Sequence, residues 1–253
     1  IYDLYGYEAA VALIVLATAP AVLLAGLLQW PSSADQTGMA DRQARSVDEA
    51  SFAGVLAGWR VGLSQPKPRW LVSTGFLSHL LNGIVLSTTS LYLANRLAED
   101  GQLAALGIGV GALAGLMLGT RWLSDMVLGP VFGHLSDRYG RTNTLSILVV
   151  VICFALLGLA LLPLTLAMIA LLLFFICDGG IYVTLAATAS DTATESDQPH
   201  TFVGVYTTAG DAGSALGPLL AFSVATVAGL PLLYVTIGAL LAFAAFRYRR
   251  WAG

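Results

Sequence analysis

Charge is scarce in this chain. Lys, Arg, Asp and Glu make up 11% of the 253 residues, against roughly 25% in a soluble domain. The hydrophobic fraction is 57%, and mean hydropathy is +0.79. That combination excludes a disordered chain, a coiled coil and an ordinary soluble enzyme. Twelve basic residues against fifteen acidic ones leave no electrostatic footprint for nucleic acid. Cysteine is nearly absent: Cys153 and Cys177 both lie in apolar runs and read as packing residues, without the spacing of a metal cluster. No G-x-x-x-x-G-K-S/T loop, H-E-x-x-H pair or G-x-S-x-G elbow occurs, so phosphate-loop, zinc-protease and hydrolase chemistry lack support. Neither a cofactor nor a metal is expected. The first residue is Ile1, and no basic segment precedes the first apolar run, so that run is not a signal peptide. An N-terminal portion is expected to be missing.

Long apolar runs are what the chain has instead. A helix crosses the bilayer with about 20 apolar residues. Ala9 to Ala34 is free of charge, which places a first span at 9–29; Trp70 to Asn95 places a second at 70–94. A third, at 105–134, contains Arg121 and Asp125. Thr142 to Cys177 carries no formal charge over 36 residues, too long for one ordinary helix, and Leu162-Pro163 breaks it. Spans four and five are therefore 143–162 and 166–190. Spans six and seven, 201–227 and 232–247, turn at Gly229-Leu230-Pro231. The runs lack the short alternation of a membrane barrel. The fold class expected is all-α, with seven transmembrane helices.

Basic residues in short loops set orientation. With the 30–69 segment inside, that side holds Arg42, Arg45, Arg60, Lys67, Arg69, Arg138, Arg141, Arg247, Arg249 and Arg250; the other holds Arg96 alone. The expected C-terminus is cytoplasmic, in a cytoplasmic (inner) membrane. Within the 30–69 linker, Ser46 and Glu49 form a capping-box pattern. Phe52, Val55, Leu56, Trp59 and Leu63 recur at helical spacing, which predicts an amphipathic helix on the membrane surface over 46–64.

Between spans three and four stands Gly133-His134-Leu135-Ser136-Asp137-Arg138-Tyr139-Gly140-Arg141. It resembles the G-x-L-x-D-R-x-G-R signature loop of the major facilitator superfamily at every fixed position. Asp211-x-Gly213-x-x-x-Gly217-Pro218 is similar to the Gly-Pro pattern of that family's fifth and eleventh helices. The resemblance implies a major-facilitator-type bundle: 1–29 as helix six, 30–69 as the central linker, and 70–253 as helices seven to twelve. The missing N-terminal half would then be a partner. An alternative register puts the loop between helices two and three, which leaves span one and its linker without a role. The resemblance also implies a gating role for Gly133, Asp137, Arg138, Gly140 and Arg141; the plainer reading is that they set topology by charge.

Gly107, Gly111, Gly115 and Gly119 repeat every four residues on one face of span three, and Ala209, Gly213 and Gly217 do so on span six. Such stripes let helix backbones approach closely. Charges inside a membrane cost at least ~2.5–3.5 kcal/mol each and read as functional by default. Arg121 and Asp125, four apart, either neutralise each other or meet substrate and protons. Asp178, followed by Gly179 and Gly180, has no partner on its own helix; it pairs elsewhere or carries a proton, and the glycines would loosen the helix there. Asp211 is a weaker candidate. His79 and Asn82 share a face of span two, for proton shuttling or simple hydrogen bonding. Tyr92, Tyr182 and Tyr206 either line a cavity or anchor an interface. The function implied is secondary transport of a small solute by alternating access, driven by protons. A second class is a transporter-like assembly factor or structural subunit of a larger membrane complex. A receptor-like or enzymatic seven-helix protein fits the loop poorly. The partners expected are the lipid bilayer, a solute and protons.

Overall fold

The computed structural model describes residues 59–60, 63–99, 109–196 and 198–252. Six helices account for nearly all of them: α1 Pro66–Glu99, α2 Val110–Tyr139, α3 Arg141–Leu161, α4 Leu164–Thr194, α5 Pro199–Ala228 and α6 Leu230–Ala252. The span expected at 9–29 lies outside the described residues, as does most of the surface helix expected over 46–64. Of the latter, residues 59, 60, 63 and 64 are described and helical.

The punctuation is local. Pro66 and Pro68 occupy the first turn of α1, where a missing N–H leaves no bond unmade. Gly140 (φ 87°) and Gly229 (φ 77°) are each the only residue between two helices, α2–α3 and α5–α6. A residue with a Cβ is strained at such angles, and single-residue joints force the flanking helices to fold back. Leu162 and Pro163, both extended, separate α3 from α4. The break expected at proline is therefore present.

The third span differs from expectation at both ends. The apolar run places the third span at 105–134, whereas α2 begins at Val110 after an extended Gly109 and continues to Tyr139. The Asp137-Arg138 region is thus helix, and the turn is Gly140 alone, the first position whose backbone refuses helical angles. Five of the six helices are long and apolar enough to cross a membrane. The exception is α2, which has the length but carries Arg121, Asp125 and several glycines.

Packing centres on α1. It lies along α5 over the longest interface and also meets α6, α2 and α4; α3 packs on α4 and α6, and α4 on α2. The core holds Leu71, Leu81, Ile84, Leu93, Phe174, Phe175 and Tyr234. Buried threonines return their hydroxyls to the carbonyl one turn back: Thr88 to Ile84 at 2.6 Å and Thr184 to Gly180 at 2.8 Å. This satisfies them without water, as a bilayer demands. Trp122, Met126, Phe154 and Val227 point outward, as side chains facing lipid or another helix layer do.

Candidate functional site

Three helices bring their polar residues to one place. Asn82 comes from α1, Arg121 and Asp125 from α2, and Asp178 from α4. The Asn82 amide donates to Asp178 Oδ2. The same oxygen takes the Arg121 guanidinium at 3.3 Å. Arg121 Nε lies 3.9 Å from Asp125 Oδ2. Asp178 and Arg121 are both buried. The guanidinium also lies over the rings of Trp122 (5.0 Å) and Phe175 (5.9 Å), which spread its charge over π faces. One cation thus serves two carboxylates, so the fully ionised cluster is short of one positive charge.

Gly179 makes this geometry possible. A Cβ there would collide with the Asp125 carboxylate. A Cβ at Gly180 would press on Phe132 and Leu148 at 2.9–3.0 Å. The two glycines therefore admit neighbours rather than loosen α4, which runs unbroken from Leu164 to Thr194. Asp178, without a partner on its own helix, finds two on others. Asp125 Oδ1 is buried with no hydrogen bond among the described residues, an unused acceptor beside the pair.

A turn away on α1, His79 Nδ1 meets Ser214 Oγ of α5 at 3.3 Å, and its ring packs edge-on against Tyr182 at 5.6 Å. His79 and Asn82 share a helix face but find different hydrogen-bond partners, Ser214 of α5 and Asp178 of α4. Asp211 is exposed on α5 with no hydrogen bond or ion pair among the described residues; its charge acts on His79 rather than on the cluster. Tyr92 donates to the Leu159 carbonyl at 2.7 Å, and Tyr206 packs on Gly75; both are helix joints, while Tyr182 is exposed. Cys177 is buried, Cys153 half-buried, and both are free thiols.

The small-residue stripes part company. A Cβ at Gly213 would reach the Phe76 carbonyl at 2.5 Å, and one at Gly217 the Gly83–Ile84 backbone at 2.8 Å. These glycines seat α5 on α1, and Pro218 follows within α5. Gly115 and Gly119 have nothing within 4 Å, and Gly111 is exposed. Among the described residues nothing covers that face of α2, with Leu116 and Leu123 exposed near it; Gly107 lies outside the described residues.

At the basic end, a Cβ at Gly133 would stand 3.9 Å from the Val183 side chain of α4, ordinary contact. Arg141 reaches Asp137 at 3.7 Å and Asp191 at 2.9 Å, and Lys67 reaches Glu195 at 2.7 Å. Arg138 lies over Tyr139. Asp137, Gly140, Arg141, Asp191, Lys67 and Glu195 help line a cavity of about 460 Å³. Asp191, Glu195 and Ser214 do not stand out in the sequence. The first two do carry a signal: Asp191, Glu195 and Asp197 form an acidic stretch on a side otherwise rich in arginine.

The model of the Major Facilitator Superfamily matches residues 1–218 and, in a second match, 112–251. The chain belongs to the major facilitator superfamily. No curated protein and no solved structure matches it. It is accordingly an integral, multi-pass membrane protein of a transporter family. In this superfamily member the signature residues 133–141 close the α2–α3 joint, and the shared-arginine cluster lies among α1, α2 and α4, away from that joint. Asp125 and Asp137 are twelve residues apart on one helix, roughly 18 Å.

Proposed function

We propose that this protein is a secondary transporter that moves a small solute by alternating access, coupled to protons through the cluster of Asn82, Arg121, Asp125 and Asp178. The observation carrying this reading is one buried guanidinium shared by two carboxylates from different helices. A proton on Asp178 removes its claim on Arg121, which then pairs with Asp125 alone; loss of the proton draws Arg121 back between them. The same event that binds a proton therefore changes whether α2 is tied to α4, and solute binding nearby feels the change. His79, Ser214 and Tyr182 extend the polar surface along α1, α4 and α5, and Asp211 is a further charge on α5. In this reading α1–α6 correspond to helices seven to twelve of the family, with a second six-helix half completing the solute path. The open glycine face of α2 suits close packing against that half. The ion pairs of Arg141 with Asp137 and Asp191 act as a gate that opens as the halves rock, and the basic end faces the cytoplasm.

The test is solute-driven proton movement. Proteoliposomes containing the full-length protein and an internal pH dye are exposed to panels of organic cations, zwitterions, sugars and carboxylates. At least one class is expected to move protons with wild type and none with Asp178→Asn. Undiminished movement in that variant contradicts the reading. Proton silence of the wild type across all classes, with co-purification of other membrane subunits, supports the assembly-factor alternative instead.

A further inference from the structure

The basic residues at one end of the bundle include two kinds. Lys67 and Arg141 are tied to Glu195, Asp137 and Asp191. Arg69, Arg247 and Arg250, along the seam of α1 and α6, have no acidic partner among the described residues. Arg69 and Arg247 gather on tryptophan instead. The Arg247 guanidinium lies 5.1 Å from the Trp70 ring centroid, and Arg69 covers the same ring at 5.9 Å. Phe243 meets Trp70 edge-on at 5.8 Å. Trp70 Nε1 and Arg247 Nε are both buried donors with no hydrogen-bond partner among the described residues. Arg247, Arg250 and Trp251 line a pocket of about 190 Å³.

The sequence of α6 continues this seam into the membrane. Leu240, Phe243, Arg247 and Arg250 follow at intervals of three, four and three, one helix face. Leu240 and Phe243 are exposed. One face thus passes from apolar side chains at bilayer depth to uncompensated arginines and idle N–H donors at its edge. That is the polarity profile of a phospholipid, chain to phosphate, and basic pockets between helices at the membrane surface suit anionic headgroups.

We propose that the α1–α6 seam binds an anionic phospholipid, with Arg247 and Arg250 on the phosphate, Arg69 beside it and an acyl chain along Phe243 and Leu240. Solute transport is not required for this binding. The seam is separate from the Arg121–Asp178 cluster.

Native mass spectrometry of the full-length protein, released from nanodiscs of equal phosphatidylglycerol and phosphatidylcholine, reads the proposal directly. Wild type is expected to retain phosphatidylglycerol over phosphatidylcholine. Each arginine near a membrane surface contributes about five-fold to such binding, so R247Q/R250Q is expected to weaken it by about thirty-fold. R249Q, with its lost charge on another face of α6, is expected to leave it unchanged. Equal retention of the two lipids by wild type overturns the proposal, as does a loss in R249Q equal to that in R250Q. Inorganic phosphate binding without lipid preference assigns the seam to free phosphate and also overturns it. If R247Q/R250Q does not fold, the wild-type lipid preference and the comparison of R249Q with R250Q still decide.

Discussion

Arg121 is the residue on which the polar centre depends. Taking the cation away leaves Asp125 and Asp178 facing each other, while taking one anion away leaves a neutral pair. Breaking a buried ion pair by removing one partner costs about 3–5 kcal/mol, and Arg121→Gln should approach that range. Asp178→Asn should cost less, because Asp125 still neutralises Arg121. Thermal unfolding of the two variants in detergent should give that order; the reverse order would mean that Asp125 and Arg121 do not pair. Gly179 makes a separate forecast. An alanine there meets the Asp125 carboxylate, which has to swing away, so Gly179→Ala should impair transport far more than Gly158→Ala, where the neighbours are the Ala170 and Leu162 side chains. These contacts show what sequence concealed. Asp178 was legible as a charge too costly to be idle, and Arg121 and Asp125 as an i, i+4 pair. That all three meet through one guanidinium depends on helix rotation, which no spacing within a single helix records. The same holds for Ser214 beside His79, since serine is unremarkable in an apolar helix.

At the scale of elements, the two glycine stripes look alike in sequence and differ in the bundle. Gly213 and Gly217 meet backbone, which cannot yield. Gly217→Ala is expected to destabilise by about 1–3 kcal/mol, the usual cost of overpacking. A Cβ at Gly115 meets nothing among the described residues. Gly115→Ala should be neutral or stabilising by up to about 1 kcal/mol, the helix-propensity gain over glycine. Gly115→Leu, equally harmless to unfolding temperature, should reduce transport if that face packs on a second half. Unfolding temperatures paired with transport rates separate the two cases; equal behaviour at 115 and 217 would remove the distinction. The breaks at Pro163 and Gly229 were legible because their signals are chemical: each stops or starts a helix for a backbone reason. The start of α2 is hidden in the sequence because 105–109 is as apolar as the first turns of the helix itself, and hydropathy does not register the extended Gly109.

For the whole molecule, membership of the superfamily was legible in nine residues at the α2–α3 joint, and the family match agrees with it. The charge network at that end was only half legible. The arginines announced themselves, while Asp191, the partner of Arg141 on α4, belongs to an acidic stretch that becomes meaningful once α4 is seen to end beside α3. As exposed pairs they are individually weak. Arg141→Ala is expected to shift the balance between inward-open and outward-open forms by less than about five-fold, and Asp191→Arg combined with Arg141→Asp to restore it. Spin-label distances across the basic end would measure both; a shift of about a hundred-fold, well beyond what exposed pairs supply, would mean that far more than these pairs holds that end closed.

The most direct test of the central claim is a double-mutant cycle on proton-linked transport with Arg121→Gln, Asp178→Asn and the combined variant. Groups that act as one unit give strongly non-additive losses. The shared-arginine account predicts that the double variant is no slower than the slower single variant. Losses that multiply, or wild-type transport by Asp178→Asn, would contradict it.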